Sequence, residues 1–328
     1  PTELLARQHA DTADRLLTPL GIKVGLLIGG LQRGAWEAMH AAMESGEVDV
    51  VVGTHALFTR RVGFASLRLV IIDEQHRFGV AQRQALVEKA DRPDVLFMTA
   101  TPIPRTLALT AFGDMDVSAI HTMPAGRKPI KTHLAIMGKE QKVYDFVRAE
   151  LASGRQAYFV YPLVGDSEAM ALKSAETMAK SLDKKVYPEF SVGLIHGRMA
   201  EEQKVEEMRR FVAGKTRVLV ATSVVEVGVD VANATCIVIE HAERFGLAAL
   251  HQLRGRVGRS NLESYCFLVY APEPTEDAVA RLKVMKEETD GFRIAEADLD
   301  IRGPGELSGV RQSGYLRLEA ANLATDGG

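Results

Sequence analysis

VIIDEQHR, residues 70–77, decides the fold class. Leu67, Leu69, Val70, Ile71 and Ile72 lead into two adjacent carboxylates, Asp73 and Glu74, followed by Gln75 and His76. A short apolar run that stops abruptly at polar groups reads as a buried strand of a parallel sheet, whose strands are covered on both faces. In open α/β sheets ligands sit beyond the carboxyl ends of the strands, so a strand tipped by two acids points at chemistry. Phosphoryl transfer needs one carboxylate to hold Mg2+, usually through water, and a second group to orient or deprotonate the attacking water. Asp73 and Glu74 fit those two roles. Taken alone, the octet also fits a strand end followed by a solvated polar turn.

On both sides of the octet, helical and strand patterns alternate. Residues 3–17 carry apolar positions at helical spacing (Leu4, Leu5, Ala13, Leu16, Leu17) and stop at Pro19-Leu20-Gly21. A strand at 24–28 runs into Gly29-Gly30, a helix is expected at 35–44, a buried strand at 48–52, and Gly53-Thr54-His55 forms the turn at its end. Beyond the acids come a helix at 80–90, a strand at 95–98, and Thr99-Ala100-Thr101-Pro102, where hydroxyls and prolines end the strand. Residues 126–129 hold breakers and cations and read as a linker. A second cycle follows, with strands at 132–136, 156–161, 192–195, 217–221 and 236–239 and helices at 140–151, 168–182 and 201–211. After it, 283–290 is a charged helical run, 292–299 a second helix, and 298–314 a glycine-bearing loop. The expectation is an α/β protein with two tandem parallel-sheet lobes, 1–125 and 126–272, and an extension at 273–328 made of a helical hairpin and loop.

Composition agrees with two lobes. The chain has 328 residues, 46% hydrophobic and 25% charged, enough to bury two cores. Its net charge of -3 gives no global basic footprint, so any nucleic-acid contact must come from local grouping of Lys and Arg. Cys236 and Cys266 lie in apolar strand-like runs without metal-ligand spacing, which predicts buried thiols and a reducing, cytosolic setting. No apolar run approaches the ~18 residues of a membrane span, and no signal-peptide pattern opens the sequence.

The densest polar stretch of the second lobe is ALHQLRGRVGRS, residues 249–260. Arg254, Arg256 and Arg259 are spaced by Gly255 and Gly258, so the backbone can pack tightly while the guanidiniums project together. Such a cluster repels itself unless an anion lies opposite, and guanidinium forks match phosphate oxygens. A solvated basic helix is the other reading of the same residues.

Together these stretches resemble the motor motifs of superfamily 2 helicases. The residues that carry the resemblance, in order, are DEQH at 73–76, TATPIPRT at 99–106, ATSVVEVGVDV at 221–231 and QLRGRVGR at 252–259. PTELLARQH at 1–9 and VGTHAL at 52–57 resemble the family's motifs that grip the nucleic-acid backbone. The resemblance implies RecA-like lobes, with ATP and Mg2+ as cofactors and DNA as partner. It implies that Asp73 holds Mg2+ through water, Glu74 positions the hydrolytic water, and Gln75 and His76 relay the nucleotide state. Gly228, Asp230 and Gln252 would meet the nucleotide from the second lobe. Arg256 and Arg259 would meet the γ-phosphate, with Arg259 as the arginine finger. Thr99 and Thr101 would couple the lobes, Arg7, Gly30, Thr54 and Thr222 would contact DNA, and His196 fits either a DNA contact or a structural loop role.

DEQHRFGV running on to Gln82-Arg83, and DLDIRGPGELSGVRQSG at 298–314, narrow the resemblance to translocases acting on forks, Holliday junctions and R-loops in recombination and repair. Arg302, Glu306, Arg311 and Gln312 are then the levers or grips of the translocation motif. A translocase of the transcription-repair coupling type is the alternative, although it typically shows Glu-Glu-Gln rather than Glu-Gln-His after the aspartate.

Nothing in the sequence matches G-x-x-x-x-G-K-[ST], the loop whose N–H groups cradle phosphates. The resemblance places that loop upstream of PTELLARQH, so the chain is expected to be the C-terminal part of a helicase that works as a monomer. The expectation for the chain alone is an incomplete first lobe, no catalysis, and self-association over an open sheet edge. A nucleic-acid-binding module without catalysis is the competing class.

Overall fold

The computed structural model describes residues 3–74, 85–90, 92–99, 116–124, 126–162, 168–222 and 231–306, with backbone alone at 168–173 and 302–306. The described residues fall into two compact units, one up to residue 99 and one from residue 116 onward.

Unit 1 opens with α1 (Glu3–Leu17), which has an acid in its first turn and Arg15 in its last, both favourable with the helix dipole. Ala6 and Ala10, one turn apart, are its buried positions, and the small side chains let α1 pack on both strands that follow. Those strands, β1 (Val24–Leu27) and β2 (Val50–Gly53), pair in parallel across α2 (Arg33–Ser45), with Leu27 opposite Gly53. A second parallel pair, β3 (Leu69–Ile72) and β4 (Asp94–Phe97), sets Ile72 opposite Phe97. Leu27, Met43, Ala56 and Val62 form one small core, and Val70, Ile72 and Leu86 form another. The alternation along β3 leaves Leu69 at 54% and Ile71 at 55% exposure, so one face of the β3–β4 pair is apolar and open. The helix expected at 80–90 falls largely outside the described residues.

Unit 2 contains one six-stranded parallel sheet. Its elements in chain order are β5 (Lys131–Ile136), α3 (Gln141–Ala152), β6 (Gln156–Tyr161), α4 (Glu168–Ser181), β7 (Val192–Ile195), α5 (Glu201–Val212), β8 (Val218–Thr222), β9 (Ala234–Ile239), α6 (Leu247–Arg254) and β10 (Tyr265–Tyr270). The strands are ordered β5-β10-β9-β6-β8-β7, and every pairing is parallel. β6, β8 and β9 are buried along their whole length, which explains why their sequences read as continuous apolar runs rather than alternating ones. Phe159, Val220 and Val238 belong to a core that α3 completes with Val143, Val147 and Leu151. Cys236 and Cys266 are buried free thiols, as expected.

α7 (Glu276–Glu287), capped by Thr275 Oγ1 accepting from the Ala278 N–H, and α8 (Gly291–Glu306) complete the unit. α8 packs on both α6 and α7. Here one expectation fails: the loop placed at 298–314 is helical as far as Glu306. Asp298 to Ile301 extend the helix, and its backbone continues through residues 302–306. Arg302 and Glu306 therefore stand on a helix.

Candidate nucleotide and nucleic-acid sites

In unit 1 the expected residues gather at the carboxyl ends of the strands. β3 delivers Asp73 and Glu74 directly from its buried Ile72. The chain turns sharply there: Glu74 has φ 50°, a left-handed conformation rare for a glutamate, and its N–H donates to Asp73 Oδ1 at 2.8 Å. The other carboxylate oxygen, Oδ2, lies 3.5 Å from His9 Nε2 on α1. The hydrogen bond with His9 holds the Asp73 carboxyl below its ordinary range, aided by the Glu74 N–H and opposed by partial burial. Asp73 is thus an oriented, ionised carboxylate. β4 ends beside it, and the Met98 N–H bonds to Ile72 O, which brings Thr99 to the same edge.

At the ends of β1 and β2 the register places Gly30 and Thr54 on one edge. The Gly30 N–H donates to Glu3 Oε1 at 2.6 Å, and a Cβ at Gly30 would approach Glu3 Oε2 to 2.8 Å. Thr54 is buried, and its Oγ1 has no hydrogen-bond partner among the described residues. Arg7 is exposed on α1.

In unit 2, Thr222 ends β8 and His196 follows β7 on the neighbouring strand. Thr222 Oγ1 and His196 Nδ1 are buried without hydrogen-bond partners among the described residues. The arginine stretch does not behave as one cluster. Arg254 is 3% exposed; its guanidinium donates to Met285 O at 3.0 Å and Glu288 O at 2.7 Å, both at the end of α7, and to His251 Nδ1 at 3.2 Å. Burial, then the Arg254 charge, depress His251 to about 4, so its imidazole stays neutral and can accept that bond. The expectation that all three guanidiniums project together is corrected: Arg254 is turned inward onto backbone carbonyls. Arg256 and Arg259 are partly exposed beyond the helix, with Arg259 Nε donating to Gly255 O at 3.2 Å. Gly258 between them has φ +73°, and a Cβ there would meet Ile130 at 2.8 Å, so only glycine fits this turn. Gln252 is half-buried on α6.

Gln75, His76, Thr101, Gly228, Asp230, Arg311 and Gln312 lie outside the described residues, and of Arg302 and Glu306 the backbone alone is described. Sequence reasoning missed His9 and a further group at the functional end of the sheet, Glu240. Glu240 follows β9, is 4% exposed, and accepts from the Tyr144 hydroxyl at 3.2 Å. The run TCIVIE is an apolar strand ending in an acid, the same signal that singled out Asp73.

The donor set of unit 1 fits Mg2+. Among the described residues no group of three or more His, Cys, Asp and Glu could cage an ion, whereas one oriented carboxylate suits a hard cation that keeps most of its waters and is completed by phosphates.

Comparison with known proteins agrees with this geometry. The family pattern described as DEAD/DEAH box helicase matches residues 1–110, and the helicase conserved C-terminal domain matches 139–261. The pattern described as ATP-dependent DNA helicase RecG, domain 3, C-terminal, matches 288–328. ATP-dependent DNA helicase RecG of Treponema pallidum is 53% identical over 99% of this chain and 49% of its own length. That of Thermotoga maritima is 49% identical over 99% of this chain and 42% of its own. The solved structure of RecG bound to a three-way DNA junction has 47% sequence identity and a TM-score of 0.76, covering 94% of this chain and 40% of that one. S. cerevisiae Dbp5 bound to RNA and ADP BeF3, at 14% identity and a TM-score of 0.63 over 92% of this chain and 79% of its own, shares the fold. The two units are the RecA-like lobes of a superfamily 2 helicase core. Within that class, the chain belongs to the RecG family. It spans about half the length of the curated relatives it matches.

Proposed function

We propose that this chain is the motor core of an ATP-dependent DNA helicase that couples ATP hydrolysis to translocation on duplex and branched DNA, driving fork reversal and branch migration in recombination and repair. The tip of β3 carries this reading: one oxygen of Asp73 lies 3.5 Å from His9 Nε2, and the other accepts the N–H of Glu74, which stands directly beside it. Bound ATP with Mg2+ supplies the transferable γ-phosphoryl group and neutralises part of its charge. Asp73 would hold the cation, and Glu74 would orient the attacking water and take its proton. Gln75 and His76 relay the nucleotide state. Gly228, Asp230 and Gln252 meet the nucleotide, and Arg256 and Arg259 take up γ-phosphate charge, with Arg259 as the finger. Thr99 and Thr101 couple nucleotide state to movement, Arg7, Gly30, Thr54 and Thr222 hold the DNA backbone, and Arg302, Glu306, Arg311 and Gln312 serve the translocation motif.

The relatives named as DNA helicases, and the relative bound to a three-way junction, support branched DNA as the substrate. The match of 288–328 to a RecG domain favours this reading over a transcription-repair coupling translocase. The lobes are assigned to 1–125 and 126–272 and the translocation segment to 273–328, in a protein that works as a monomer. The test is Glu74→Gln in a protein of the relatives' full length carrying this core. Nucleotide binding should persist while turnover falls by about 10²–10⁴-fold, the usual contribution of a general base. Unchanged turnover would remove Glu74 from catalysis.

A further inference from the structure

We infer that α1 is the mechanical link of unit 1, joining the glycine turn after β1 to the carboxylate tip of β3 through Glu3 and His9, and that His9 is a positioning residue for Asp73. This extends the proposed function, in which the first place holds DNA and the second holds nucleotide.

One helix makes both contacts. At its first turn Glu3 Oε1 accepts the Gly30 N–H at 2.6 Å. Gly30 must lack a side chain for this, since a Cβ would lie 2.8 Å from the other carboxylate oxygen. His9 Nε2 stands 3.5 Å from Asp73 Oδ2. His9 lies six positions after Glu3, which puts them about 9 Å apart along the axis and on different flanks of the helix. Ala6 and Ala10 between and beyond them are buried, so α1 sits on β1 and β2 as a packed body rather than a mobile arm. A shift of the glycine turn when a phosphate binds is therefore passed to the orientation of Asp73, and the reverse holds by linkage. Neither Glu3 nor His9 needs to touch a reacting atom. Asp73 keeps the Glu74 N–H on its other oxygen, so loss of His9 removes the link without stripping the carboxylate of all support.

The experiment uses a full-length protein carrying this core. DNA affinity for a three-way junction is measured by fluorescence anisotropy with and without a non-hydrolysable ATP analogue, alongside turnover with and without DNA. His9→Ala should bring the ratio of the two DNA affinities to about 1, losing a linkage that is typically about 5–150-fold, while nucleotide-free DNA binding stays within about twofold and turnover falls more with DNA than without it. His9→Gln, whose amide can still donate to Asp73, should restore the linkage. Glu3→Ala breaks the other end and should give the same uncoupled behaviour, and the double variant should be no worse than either single one, as expected for two parts of one path. Native linkage in His9→Ala would overturn the inference, as would equal loss of turnover with and without DNA. A Glu74→Gln protein with undiminished turnover would overturn the catalytic reading alone, because the binding linkage is measured without hydrolysis.

Discussion

Asp73 and Glu240 both stand at strand tips, and their neighbours drive their carboxyls in opposite directions. Asp73 is half-open and receives hydrogen bonds from His9 and the Glu74 N–H, so its charge is favoured. Burial pushes Glu240 up to about 7, the Tyr144 hydroxyl pulls the other way, and the carboxylates of Glu140 and Glu243 add repulsion. The buried hydroxyl of Tyr161 on β6 has no hydrogen-bond partner among the described residues, and burial, then the Glu240 charge, hold it well above its ordinary range. Because the Glu240 carboxyl is raised above its unfolded value of 4.5, the folded state binds the extra proton between pH 4.5 and about 7. The stabilisation is complete below that window and is lost as pH rises through it, on the order of 3 kcal/mol. Glu240→Gln cannot ionise. Its melting temperature should stay level from acid to pH 8, whereas the native chain should lose several degrees over the same range. Equal pH dependence in both would show that Glu240 does not titrate there. The acid itself was visible in TCIVIE, but its protonation habit was not, because burial sets it and Tyr144 and Glu140 reach it from distant positions.

At the scale of elements, α6 shows how one basic run can serve two ends. Its spacing gives Leu247, Leu250 and Leu253 to the core, and the same turn of helix carries Arg254 inward. There the guanidinium ties the end of α6 to the end of α7, next to α8, which Ile294 anchors by burial. Arg254→Ala would leave the Met285 and Glu288 carbonyls, the first buried and the second partly so, short of a donor and open a cavity at that junction. The expected outcome is a loss of roughly 2–4 kcal/mol of stability, with the α7–α8 hairpin exchanging its amide hydrogens faster than the sheet does. Arg254→Lys keeps the charge but not the fork, and should recover only part of it. Native exchange rates in the hairpin of Arg254→Ala would show that the helices hold one another without this residue. The sequence offered this stretch as a basic cluster, with a solvated basic helix as the other reading, and could not separate the buried arginine from Arg256 and Arg259, since all three look alike in a string of letters. The length of α8 was misjudged for a related reason: Gly303, Pro304 and Gly305 are breakers by propensity, yet the helix continues through them to Glu306.

For the molecule as a whole, the described parts of the two units differ in their sheets. Among the described residues, unit 2 has a continuous six-stranded sheet with central strands buried on both faces, while unit 1 has two separate pairs and an exposed apolar face on β3 and β4. The tripeptide Gly214-Lys215-Thr216 does not supply a phosphate loop, because it follows α5 and leads into β8 instead of leaving a strand for a helix. With no G-x-x-x-x-G-K-[ST] in its 328 residues, the chain by itself should show no DNA-stimulated ATP hydrolysis above background. Turnover that survives repurification and disappears in Glu74→Ala would overturn this.

The alternation of apolar runs with helical spacings was enough to establish two α/β lobes: burial on both strand faces imposes that local pattern on β6, β8 and β9, and β3 carries the same kind of run although one of its faces is exposed. The acids at 73 and 74, and the ordered helicase motifs, were legible for the same reason: each is contiguous in the chain. The partners of those residues were not. His9 and Asp73 lie 64 positions apart, and Glu240 and Tyr144 lie 96 apart. Whether a carboxylate is ionised, whether an arginine faces a ligand or a carbonyl, and which helix steadies which strand tip depend on distance and solvent exclusion. Those are set when the chain closes on itself, and neighbouring letters carry no record of them.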